Sequence, residues 1–137
     1  MLDEEKINLA KYRIEKAKET LRAAKLNFEN GFYLASVNRS YYSIFYAARA
    51  LLAFEDVEFK KHSAVISHFQ KHYIKTKIFD SKFSNIIFNA FEIRNESDYE
   101  DFYVLSKEDA EKQIENAKEF IDEIEKYINL QKIKNNS

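Results

Sequence analysis

The chain has 137 residues with one glycine, no proline, no cysteine and a formal net charge of −1. That length holds a single domain able to bury about two-thirds of its unfolded surface. The scarcity of turn formers excludes most all-β folds, the absence of cysteine excludes disulfides and thiolate metal sites, and the near-zero charge excludes a general attraction to nucleic acid or membrane.

Apolar residues open the first element at Ile7, Ala10, Ile14, Ala17, Leu21, Ala24 and Phe28. Their alternating steps of three and four trace one stripe of an α-helix. This helix should stop at Asn30-Gly31, where glycine can adopt the left-handed conformation. A second helix carries Leu34, Val37, Tyr41, Ile44, Ala48 and Leu51 on one line, widened by Tyr42, Phe45 and Leu52, and is read as the central one. A third, from about His62 to Lys75, places His62, Val65, Phe69 and His72 on one face with Ile66 and Tyr73 beside them. A fourth starts near Asp80 or Ser81, either of which can cap it, and carries Phe83, Ile86, Ile87, Ala90 and Ile93. The fifth begins at SKED, where Ser106 and Asp109 have capping-box spacing, and runs through Ala110, Ile114, Ala117, Ile121, Ile124 and Ile128. Residues 131–137 read as a frayed tail.

The fold class is therefore all-α: a five-helix, up-and-down type bundle occupying residues 1–137 as one domain. Alanines at every second seam position of the first and last helices (Ala10, Ala17, Ala24; Ala110, Ala117) should let those two helices approach closely. No apolar run is long enough to span a membrane, and the opening MLDEEKINLAKY is too charged for a signal peptide. The expectation is a soluble, cytoplasmic protein.

Charge is unevenly distributed. Residues 58–82 carry six lysines against Glu58 and Asp80, whereas residues 92–125 carry thirteen acids against four bases. Such asymmetry marks either a partner-facing side or two solvated helix faces of opposite sign. Arg94 is the unusual residue, because it continues the buried line through Phe83, Ile87 and Ala90. An unpaired charge there would cost several kcal/mol. It must pair with Asp98 one turn on, or present its planar fork to a phosphate at a subunit interface. Arg49, on the Tyr42–Phe45 line, is a second phosphate candidate, and Arg39 a weaker one on another face. Tyr41, Tyr42, Phe45 and Tyr46 read as core. His68 and His72 have the spacing of a helical metal pair but no third ligand, so neither a metal nor a cofactor is expected.

The stretches NRSYYSIFYAARALL, KKH and RNESDY carry a resemblance. Over roughly residues 10–130 the chain resembles the HEPN domain (higher eukaryotes and prokaryotes nucleotide-binding), and in particular small prokaryotic members paired with a minimal nucleotidyltransferase. The resemblance implies a helical homodimer with its motif arginines near the dimer axis. It also implies a toxin acting as a metal-independent endoribonuclease on RNA, with the nucleotidyltransferase as antitoxin. The family motif is an arginine, often followed by a polar residue, then a histidine after four to six intervening residues. Arg94 and Asn95 match its opening, whereas Tyr99, Glu100 and Asp101 stand at the three places open to the histidine.

A phenol ionises near pH ~10, so Tyr99 could donate a proton but would serve badly as a base. His62 is the imidazole that the third helix would have to bring across. Family nucleotidyltransferases adenylate a tyrosine near the motif, which points to Tyr99 and Tyr103. The acids Glu92, Glu96, Asp98, Glu100 and Asp101 surround Arg94 and would repel RNA unless most point away. The alternative function is a non-catalytic helical module that holds a nucleotide or docks the nucleotidyltransferase.

Overall fold

The computed structural model describes residues 3–101 and 103–136. Every regular element among them is helical: α1 (Glu4–Glu29), α2 (Tyr33–Phe54), α3 (His62–Phe69), α4 (Ser81–Tyr99) and α5 (Lys107–Asn136), with a π-helical turn, Gln70–Ile74, continuing α3. Among the described residues no helix is long and apolar enough to cross a membrane.

The ends follow local chemistry. Asp3 caps α1 by accepting from the Glu5 amide, and Asp80 caps α4 by accepting from Lys82 at 2.9 Å. Ser106 accepts from the Asp109 amide at 3.0 Å, the expected first half of the capping box. At the other end of α1, Gly31 takes φ +79°, beyond the reach of most side chains, and turns the chain into a tight α1–α2 hairpin. α5 stays helical to Asn136, past the point where the tail was expected to fray.

α2 is the axis of the bundle. Val37, Tyr41, Ile44, Ala48 and Leu51 are buried, and α1, α3, α4 and α5 all pack on this helix. Leu34 is an exception, exposed at the hairpin end. α1 lies chiefly on α2, with a smaller contact to α5, so the alanine seams bring α1 close to the central helix more than to the last one.

The third segment departs from simple helical periodicity. The Lys75 amide reaches back to the Gln70 carbonyl at 2.9 Å, an i→i+5 bond that accommodates one extra residue in the turn. Tyr73, one turn on from the buried Phe69, is buried and His72 is exposed. Phe79, in the following loop, folds back between Phe69 and Tyr73 at ring separations of 5.8 Å, and Phe120 of α5 closes on Phe69 at 5.4 Å.

Leu51→Ala, at a fully buried position of α2, should cost about 2–5 kcal/mol in urea unfolding because the surrounding helices cannot collapse onto the void. Val104→Ala, at an exposed loop position, should stay within about 0.5 kcal/mol of the parent.

Candidate functional site

The half-buried residues of α2 form a stripe that no other helix covers completely. Tyr42, Tyr46, Arg39 and Arg49 lie on it, with Tyr41 and Phe45 buried behind. α3 begins where His62 meets this stripe, and the C-terminal half of α4 brings Arg94 to it. Tyr41 and Tyr42 touch both residues, although the two are far apart in sequence.

Arg94 is held from several sides. Its Cζ sits 5.6 Å from the ring centres of both Tyr41 and Tyr42. Nη2 donates to the Tyr42 hydroxyl at 3.0 Å, and Nη1 donates a longer bond, 3.4 Å, to Asn95 Oδ1. Nε lies 3.0 Å from Asp98 Oδ2, but its N–H is not aimed at that oxygen, so the contact is an ion pair without an aligned hydrogen bond. The order Arg then Asp at i+4 is the weaker orientation for a helix, worth a few tenths of a kcal/mol when exposed. This explains the charge on an apolar line: the line reaches the edge of the core at position 94, and the guanidinium lies against aromatic faces with 24 % of its side chain still exposed.

His62 is stacked on Phe45 with ring centres 3.9 Å apart, and its Nδ1 shares a 2.7 Å hydrogen bond with the Tyr41 hydroxyl. Burial pushes the Tyr41 phenol well above its ordinary range, against the opposing pull of Arg94, so Tyr41 remains protonated. Burial also lowers the His62 pKa below its usual value, and the charges of Arg94 and then Arg49 lower it further. The imidazole is neutral at pH 7 as a result.

Arg49 is engaged elsewhere. It pairs with Glu58, whose other oxygen accepts from Arg13 at 3.0 Å, while Arg13 also donates to the Arg49 carbonyl. Burial alone would raise the Glu58 pKa, but the bonds from Arg49 and Arg13 outweigh it and hold the carboxyl below its usual range. The Arg49 Nε is buried without a partner.

Other members differ from the reading of the sequence. Arg39 belongs to the face, its Cζ 5.1 Å over Tyr42, and Lys16 of α1 sits 4.7 Å over Tyr46. The Arg39–Tyr42 spacing of i, i+3 was a usable signal for the first; the second arises only from the packing of α1 on α2. Tyr42 and Tyr46 are half-buried and border the site, whereas Tyr41 and Phe45 are true core. Tyr99 is not drawn in: it is 83 % exposed at the end of α4. Tyr103 is half-buried in a groove beside the α1–α2 turn. Of the acids near Arg94, Asp98 alone pairs with it, while Glu96 and Glu100 act on Tyr103. The His68 and His72 rings lie 4.2 Å apart, but no group of three metal-ligating side chains exists among the described residues.

The arrangement offers a fork for phosphate, a neutral imidazole and two half-exposed rings for stacking. The HEPN domain profile matches residues 10–127. A Methanocaldococcus jannaschii protein named Putative toxin MJ0142 is 36% identical over 115 residues, covering 84% of this chain and 78% of that protein. Another from the same organism, named Putative toxin MJ0605, is 37% identical over 115 residues, covering 84% and 85%. A Thermotoga maritima protein named UPF0332 protein is 34% identical over 124 residues, covering 90% and 94%.

Arg94→Gln should raise the His62 pKa, read by NMR titration of its ring protons, because a positive charge that disfavours the imidazolium is removed. An unchanged midpoint would show that the two side chains do not share a field. Since the folded His62 pKa is depressed, its contribution is intact above pH ~6.5 and lost as pH falls through the folded value. His62→Gln should therefore flatten the acid-side loss of stability.

Proposed function

The chain belongs to the HEPN domain family, and from that premise we propose that it is a toxin acting on RNA at the face where Arg94 and His62 converge. The observation that carries the reading is this convergence on Tyr41 and Tyr42 from separate helices, with the imidazole kept neutral. A neutral imidazole is the group that metal-independent RNA cleavage requires as a base for the 2′-hydroxyl. In this reading the phosphate displaces Asp98, which is exposed enough to swing away, and Arg94 takes the phosphate through its fork. Tyr42 and Tyr46 stack on bases, while Arg39, Lys16 and the Arg49 edge supply the surrounding positive field. His62 thus stands in for the histidine that positions 99–101 lack.

Two copies meet across this face, which leaves half-buried aromatic rings in a single chain, and the pair works in the cytoplasm. The antitoxin is a minimal nucleotidyltransferase that adenylates Tyr99. The exposure of Tyr99 supports that choice over the half-buried Tyr103.

A second reading is a non-catalytic module that binds a nucleotide or docks the nucleotidyltransferase. The Arg94–Asp98 pair and the missing motif histidine favour it. Expression of the wild type should arrest growth, and Arg94→Ala and His62→Gln should each relieve the arrest. Purified protein in EDTA should cleave single-stranded RNA, with His62→Gln slower by about a hundred- to ten-thousand-fold. Arrest lost in Arg94→Ala but kept in His62→Gln, without cleavage, selects the binding module. Arrest that survives Arg94→Ala removes this face from the mechanism.

Co-expression with a minimal nucleotidyltransferase should add the mass of adenylate to a peptide containing Tyr99, and Tyr99→Phe should abolish the addition. Unmodified tyrosine in the wild type would exclude that role.

A further inference from the structure

Two arginines from different helices converge on one carboxylate. Arg13 of α1 donates through Nη2 to one oxygen of Glu58 at 3.0 Å, and Arg49 of α2 donates through Nη2 to the other. Arg13 Nη1 also donates to the Arg49 carbonyl at 3.1 Å, which holds the two guanidinium groups side by side. The arginines lie behind, with 14 % and 30 % of their side chains exposed, whereas Glu58 is 52 % exposed on the loop from α2 to α3. Each fork gives Glu58 a single nitrogen, and Arg49 Nε is left without an acceptor. Two anchored positive charges thus face one exposed negative charge, with donor capacity to spare.

A carboxylate spreads its acceptors in one plane, whereas a phosphate directs oxygens to several sides and so suits forks that arrive from two helices. We propose that Arg13 and Arg49 form an anion site for a phosphate group, and that Glu58 is its built-in occupant, displaced when the phosphate arrives. A cavity of about 220 Å3 beside Glu58, bordered by Lys6, Leu9 and Val57, gives the released carboxylate room. Asp3, Glu5 and Asp56 border that cavity too and bar a phosphate from it, which leaves the Tyr46 side of the arginines as the approach. Tyr42, Tyr46 and Arg49 fall on one line of α2, so the site stands about 10 Å along the helix from Tyr42, where Arg94 lies. A strand with one phosphate on Arg94 would bring a neighbouring phosphate here. That carrier rests on the RNA reading; the anion site does not.

Calorimetric titration with inorganic pyrophosphate tests this, in chains that all carry Arg94→Ala so that the Arg94 face does not contribute. Glu58→Gln should bind pyrophosphate about tenfold more tightly than the chain that keeps Glu58, and its melting temperature should rise as pyrophosphate is added. Adding Arg13→Gln should abolish both effects. Where Glu58 is kept, pyrophosphate should bind weakly through the same arginines, so Arg13→Gln should lower that affinity as well, a result that needs no change at Glu58. A single-stranded oligodeoxynucleotide, which has no 2′-hydroxyl to cleave, separates the sources of phosphate. Its tighter binding to Glu58→Gln assigns the site to a strand, and a gain for pyrophosphate alone assigns it to a free phosphate or nucleotide. Equal pyrophosphate affinity with and without the Glu58 charge would overturn the proposal and leave Glu58 as a clamp on its loop. So would a gain that survives Arg13→Gln. Growth arrest tests the RNA reading separately.

Discussion

The hydrogen bond between the buried Tyr41 hydroxyl and His62 Nδ1 is the contact on which the candidate site depends. α2 is covered by other helices along most of its length, so the phenol of Tyr41 has no water to turn to. A buried hydroxyl left unpaired costs roughly 1–3 kcal/mol. His62 satisfies it at 2.7 Å and is in turn clamped against Phe45. The same bond fixes the first residue of α3, and so the point at which the chain re-enters the bundle after the loop from α2. A core requirement thereby delivers an imidazole to the surface beside Arg94.

Electrostatics on this face is a balance of like charges and a few counter-charges. Arg94 and Arg39 lie over Tyr42 and Lys16 over Tyr46, while Asp98 pairs with Arg94 and Glu58 with Arg49 and Arg13. Arg39 and Lys16 gain from aromatic faces, whereas Arg94 has both a ring contact and a carboxylate. Burial first, and then the charges of Arg94 and Arg49, hold the His62 pKa below its usual value.

The acids that dominate the second half of the sequence lie mostly elsewhere. Glu96, on another side of α4 from Arg94, and Glu100, just past the end of that helix, act on Tyr103. The Lys82–Glu119 pair links α4 to α5 between the basic and acidic stretches.

Helix number, helix ends and most of the core were legible in the sequence, because they follow from short-range rules. Periodicity marks the buried stripe, Gly31 ends α1, and Asp80 and Ser106 cap α4 and α5. The oddity of Arg94 and its pairing with Asp98 were legible for the same reason, one turn of helix being a local distance. The π-turn at Gln70–Ile74, the exposure of His72, the return of Phe79 to the core and the placing of Lys16 on Tyr46 were not. Each is decided by how whole helices meet, which no window of one helix contains. The meeting of His62 with Arg94 is of this second kind: the residue types were visible in the chain, but only the packing of α3 and α4 on α2 brought them to the same pair of tyrosines.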